Sequence, residues 1–140
     1  MDKVFIDTDI ALDLLARREP YYAASADLFT MADRGMVDLY ISALSLSNLH
    51  YLLSRQHNTA ESSRILANFK VLVKALAVDD KIIELALSSR FPEFEDAIQY
   101  YTAVENGIQT LLTRNAKDYK LASIRVLTAE LYVKQQGKTK

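Results

Sequence analysis

A chain of 140 residues with a net charge of −1, half of it apolar and a quarter charged, has the size of one domain. It has no cysteine, two histidines (His50 and His57) and three scattered glycines. That excludes disulfides, a thiol nucleophile and thiolate metal sites, and leaves no phosphate-cradling loop or dinucleotide fingerprint. No apolar run could span a bilayer and no basic, apolar leader follows Met1, so a cytoplasmic protein with no membrane association and no nucleotide cofactor is expected.

The first element, Val4-Phe5-Ile6, reads as a buried strand of a parallel sheet, broken at once by Asp7-Thr8-Asp9. Ligands collect beyond the carboxyl ends of such strands. An acid closing a buried strand loses hydration unless a cation or several donors face it, which makes Asp7 the first candidate site residue. Thr8 and Asp9 are good caps for the helix that Ile10, Ala11, Leu14 and Leu15 imply, and Asp13 is expected on its solvated face.

A second helix is expected over 22–34, closed by Gly35, then a strand over 37–41 and a third helix capped by Ser42. Leu46, Leu49, Leu52 and Leu53 form the apolar face of that third helix, with Ser45 and Asn48 beside it. From Thr59, the spacing of Ile65, Leu66, Phe69, Leu72 and Val73 predicts a fourth helix, followed by a brief strand over 76–78. Asp79-Asp80 then caps a fifth helix that buries Ile82, Ile83, Leu85, Ala86 and Leu87.

Glu93, Glu95 and Asp96 lie at the start of a helix whose Ala97, Ile98, Tyr101 and Val104 face inward. Asp96 immediately precedes Ala97 and so points toward the interior, as a site residue would; Glu95 is a candidate beside it. Gly107 ends this helix. Thr110 to Thr113 is a second buried strand ending in a polar cluster, Arg114 to Tyr119, which repeats the logic of the N-terminus. A last strand over 124–127 and a short helix from Thr128 complete a domain over 1–134, with 135–140 a polar tail.

Strands alternating with helices predict an α/β fold, a three-layer α/β/α sandwich around a mostly parallel sheet of four or five strands. Asp7, Asp96 and the turn from Asn115 to Asp118 then share one rim. An oxygen-only cluster of this kind suits Mg2+ or Mn2+ rather than zinc, and hard cations on carboxylates point to metal-assisted phosphodiester hydrolysis.

Four segments in this order resemble the PIN-domain ribonucleases, and among them the VapC-like toxins of type II toxin–antitoxin systems. Phe5-Ile6-Asp7-Thr8-Asp9-Ile10 is similar to the opening Asp-Thr-Asn motif, with Asp9 in place of asparagine. In Ile41-Ser42-Ala43-Leu44-Ser45-Leu46-Ser47-Asn48-Leu49, Asn48 stands where most members carry glutamate. Phe94-Glu95-Asp96-Ala97-Ile98-Gln99 makes Asp96 the matching metal ligand. In Leu112-Thr113-Arg114-Asn115-Ala116-Lys117-Asp118-Tyr119, Asn115 replaces a frequent aspartate.

The resemblance implies a metal-dependent endoribonuclease in which Asp7, Asp96, Asn115 and Asp118 carry catalysis, the first two as metal ligands. Thr8, Asp9, Asn48, Glu95 and Thr113 support them. It also implies an RNA substrate, a cognate antitoxin that inserts a segment into the site, and a homodimer formed through helices of the N-terminal half. Arg114, Lys117 and Lys120 are the cations placed to meet RNA.

Two other readings exist. Asp7-Thr8-Asp9 also resembles the Asp-x-Asp of haloacid-dehalogenase-type phosphatases, but Ala11 occupies a place where threonine or valine is wanted. With amides at Asn48 and Asn115, the chain can also be read as a metal-depleted PIN-like module that binds RNA or a protein without cutting.

Overall fold

The computed structural model describes residues 1–120 and 122–138. Its central element is β1 (Asp2–Ile6), whose last three residues are fully buried. Alternation decides where each goes. Val4 and Ile6 enter one core with Ile10, Leu28, Leu49 and Tyr132, while Phe5 enters the opposite core with Tyr100, Ala103, Ile108, Leu111 and Tyr119. A strand covered on both faces has no polar alternate, which is why this stretch reads as a continuous apolar run.

The remaining strands are β2 (Val37–Ser42), β3 (Val73–Leu76), β4 (Thr110–Leu112) and β5 (Arg125–Leu127), and the sheet order is β3-β2-β1-β4-β5 with every pairing parallel. The α/β sandwich with a parallel sheet is as expected, at the larger of the two strand counts. The chain builds outward from β1 to β3 on one side, then returns to place β4 on β1's free edge. That reversal puts a crevice between the carboxyl ends of β1 and β4, where open α/β sheets bind ligands. Ile6 pairs with Leu112, and the Asp7 N–H donates to the Leu112 carbonyl at 2.9 Å.

Helices α1 (Thr8–Leu15), α2 (Tyr22–Asp33), α4 (Thr59–Phe69) and α7 (Ala129–Lys138) contribute to the first core, and α5 (Asp80–Leu87) packs with α6 (Phe94–Glu105) on the other side. Between them α3 (Ala43–Leu53) gives Leu49 to the first core and lays Leu44 against the α5–α6 cluster. Ser42 and Asp79 cap α3 and α5 as the sequence predicts, their side chains accepting from the Ser45 and Ile82 N–H groups at 3.0 Å.

Four local expectations are corrected. The third strand begins at Val73 rather than Leu76, because α4 stops at Phe69 and Val73 pairs with Leu39. Leu87 ends α5 and is exposed, the buried face there being Ile82 and Ala86. The cap of α1 is Asp7 rather than Thr8 or Asp9, its carboxylate accepting from the Thr8 N–H at 2.7 Å. Finally α7 continues through residues 135–138, which the polar composition assigned to a tail; 139 and 140 lie outside the described residues.

Candidate metal centre

Asp7 stands at the end of β1 with 8 % of its surface exposed and receives a donor from each neighbouring element. The Thr8 N–H at the start of α1 meets Oδ1 at 2.7 Å. Thr113, the residue after β4, donates its hydroxyl to Oδ2 at 3.0 Å and accepts from the Asn115 N–H at 3.2 Å. The Tyr119 hydroxyl, on a 3-10 turn at Ala116–Tyr119, reaches Oδ2 at 3.2 Å. The same hydroxyl reaches Oδ1 of Asp96 at 3.4 Å. Two acids 89 positions apart along the chain therefore converge on one oxygen atom.

An open cleft of about 570 Å3 lies over this pair, lined by Asp7, Thr8, Asp9, Asn48, Tyr51, Leu52, Glu93, Glu95, Asp96, Asn115 and Asp118. Its acids have different surroundings. Burial pushes the Asp7 carboxyl up to about 6, with the charge of Asp9 adding to it and the Thr113, Thr8 and Tyr119 donors opposing it. Asp96 is also pushed up to about 6, by burial first and then by the negative charges of Asp7, Asp118 and Glu93. Burial, and then the charges of the same two carboxylates, raise the Tyr119 phenol, so it stays a neutral donor. Neither histidine lines the cleft, and His50 is engaged with the Ser63 hydroxyl at 3.0 Å.

Of the residues the sequence singled out, Asp7, Thr8, Asp9, Asn48, Glu95, Asp96, Asn115 and Asp118 meet around this cleft, and Thr113 lies beneath it as a donor to Asp7. Asn48 lines the same cleft, its Nδ2 donating to Glu95 Oε1 at 3.0 Å and tying α3 to α6. Lys117 and Lys120 are exposed.

Arg114 is engaged within the chain: it lies over the Tyr21 ring at 4.3 Å and pairs with Asp9 and Asp13, each at 3.3 Å. Asp13 is a correction. Expected in solvent, it is 1 % exposed, and burial raises its carboxyl while the charges of Arg114 and Arg18 oppose the rise.

Sequence reasoning missed the polar layer under the cleft. Gln99, fully buried, donates Nε2 to Ser45 Oγ at 2.9 Å, and that hydroxyl shares a 2.6 Å hydrogen bond with Thr8 Oγ1. A signal was present: Gln99 is one turn after Asp96, and Ser45 one turn before Asn48, so each lies on the face that carries a candidate residue. Tyr119 had no such signal beyond its place in the polar turn.

The donor set bears on which group the site can take. Among the described residues no three His, Cys, Asp or Glu side chains are close enough to form a metal cage. Two carboxylates that share a hydroxyl, each with its ionised form disfavoured, still fit Mg2+ or Mn2+, since Mg2+ is commonly held by one or two carboxylates with waters and a substrate phosphate completing its shell.

A parallel sheet with acids at its β1/β4 switch point defines a class, and comparison with known proteins gives its name. The family model for the PIN domain matches residues 3–117, and the chain belongs to that family. Ribonuclease VapC1 of Aquifex aeolicus is 26% identical over 137 residues, covering 92% of each chain. Among solved structures, the DNA-bound VapBC of Salmonella typhimurium aligns with a TM-score of 0.69 at 16% identity, over 92% of this chain and 99% of the other. VapC20 of Mycobacterium tuberculosis, described as a sarcin–ricin-loop-cleaving toxin, aligns with a TM-score of 0.61 at 19% identity, over 77% of this chain and 86% of that one.

The raised carboxyls have a measurable consequence in EDTA. An aspartate held near 6 in the folded protein but near 3.9 when unfolded binds more protons in the folded state between those values, so its contribution is fully present below pH 4 and is lost as pH rises through 6. Asp7→Asn is therefore expected to match or exceed the wild-type stability at pH 7, by on the order of 1–2 kcal/mol, and to lose that advantage near pH 4. Thermal melts of both proteins from pH 4 to pH 8 check this; equal destabilisation by the variant at every pH would assign Asp7 a purely structural role.

Proposed function

We propose that the protein is an endoribonuclease dependent on Mg2+ or Mn2+, acting in the cytoplasm as the toxin of a toxin–antitoxin pair. The observation that carries this is the convergence of Asp7 and Asp96 on the Tyr119 hydroxyl at the base of an acid-lined cleft. The relative from Aquifex aeolicus, a ribonuclease by name and similar over nearly its whole length, supports the nuclease reading. Solved neighbours that are toxin–antitoxin complexes support an antitoxin partner.

In this reading Asp7 and Asp96 hold the cation. When bound, it supplies Lewis acidity toward a phosphoryl oxygen and a source of hydroxide near neutral pH. Thr113, the Thr8 N–H and Tyr119 fix the Asp7 carboxylate, so no reorganisation is required of it on binding. Asp118 and Glu93 add negative potential beside Asp96, which partly replaces the charge absent at Asn48 and Asn115. Asn115, at the open edge of the cleft, offers a neutral oxygen or an amide donor to water or phosphate. The exposed Lys117 and Lys120 meet flanking RNA phosphates. An antitoxin segment closing the cleft would bring a cationic group against these acids, and a homodimer is the assembly proposed for the free toxin.

The test is cleavage of single-stranded RNA with Mn2+ or Mg2+, followed by EDTA. Cleavage that stops on chelation and returns with Mn2+ supports the enzyme. RNA binding that is indifferent to metal, with no cleavage, would make the protein a binding module instead.

A further inference from the structure

We infer that Tyr119 is a positioning residue for the cation: its hydroxyl is the fixed point that holds the carboxylates of Asp7 and Asp96 facing one another. The inference rests on the metal-site reading above and goes beyond it, since Tyr119 lies past the segment matched to the family, residues 3–117.

The geometry is that of one donor between two acceptors. A phenol has a single O–H proton, and here two carboxylate oxygens, Asp7 Oδ2 and Asp96 Oδ1, lie 3.2 and 3.4 Å from it. Without that donor the two acids, on separate elements at the end of β1 and the start of α6, would turn apart to escape mutual repulsion. The oxygen can serve as a fixed point because the ring is immobilised. Tyr119 is 3 % exposed, packs in the core with Phe5, Ala103, Ile108 and Leu111, and meets the Phe91 ring edge-on at 5.9 Å.

Asp96 keeps Oδ2 with which to meet a cation, and Asp7 Oδ1, which accepts from the Thr8 N–H, keeps a second lone pair for one. Asp7 is further restrained by Thr113 and the Thr8 N–H. Asp96 has no other side-chain donor among the described hydrogen bonds, so it depends on Tyr119 the more heavily.

Tyr119→Phe tests this, because it keeps the ring and removes only the oxygen. Mn2+ binding to the full-length protein is measured by isothermal titration calorimetry without RNA, alongside the dependence of RNA cleavage on Mn2+ concentration. The expected result is a melting temperature in EDTA within a few degrees of wild type and Mn2+ affinity weakened about 10-fold, the scale of one hydrogen bond to a charged group. The cleavage rate at saturating Mn2+ should stay within about threefold, since a bound cation holds the carboxylates itself. Unchanged or tighter Mn2+ binding by Tyr119→Phe would overturn the inference while leaving the metal site standing. Absence of Mn2+ binding by the wild type would overturn both. Asp96→Asn, measured in parallel, should lose binding and so marks the full effect.

Discussion

Asp96→Asn is expected to reduce metal-dependent RNA cleavage by at least about 100-fold, while leaving the fold intact. Substituting groups that merely orient a metal's ligands typically costs 10–100-fold in affinity or activity, so removing the charge of a direct ligand should cost no less. Asparagine keeps a carbonyl oxygen but brings no charge to a site already lacking it at Asn48 and Asn115. The fold should survive because, among the described residues, the carboxylate of Asp96 is held by a single 3.4 Å contact, to Tyr119, and its ionised form is opposed by burial and by three neighbouring acids. Gel-based cleavage of single-stranded RNA in Mn2+, with far-ultraviolet circular dichroism of the same samples, checks both halves. Wild-type cleavage rates in the variant would remove Asp96 from the metal site.

The second large effect concerns stability and centres on Arg114. Removing one partner of a buried ion pair costs about 3–5 kcal/mol, because the other charge is left without compensation. Arg114 retains 19% exposure while Asp13 has 1%, so Arg114→Ala is expected near the lower end, about 3 kcal/mol, in urea unfolding. Its stacking on Tyr21 and its pairing with Asp9 would be lost together. The double variant Arg114→Ala with Asp13→Asn should recover a large part of the loss, since the remaining buried group is then neutral. A loss that persists unchanged in the double variant would show that packing against Tyr21, rather than the stranded carboxylate, sets the cost.

These two residues mark the limit of what periodicity shows. Asp13 lies four positions after Asp9 on α1, a spacing that places both on one helix face, but spacing does not say whether that face meets water or an arginine arriving from beyond β4. The partners of Arg114 were hidden for the same reason: a charged residue in a polar turn has no local pattern that tells which side chains it will meet. The strand over 73–76 was misplaced because Leu72 and Val73 fit the helical spacing of Ile65, Leu66 and Phe69, and pairing of Val73 with Leu39 prevailed over that local fit. Residues 135–138 were read as a tail from their polarity, yet a helix already docked through Ala129 and Tyr132 continues through them, since propagating a formed helix costs little.

By itself the sequence determined the sandwich class, the parallel sheet, and the placement of acids just after a buried strand and at the start of a helix. Those depend on apolar period and on short-range polar breaks, both of which are local. Only the tertiary structure decided that Asp7 and Asp96 meet at Tyr119, that Asn48 is drawn to Glu95, and that Arg114 is tied to Asp13. Side-chain direction in a turn, and the partner a buried charge finds, are set by what the rest of the chain packs against it.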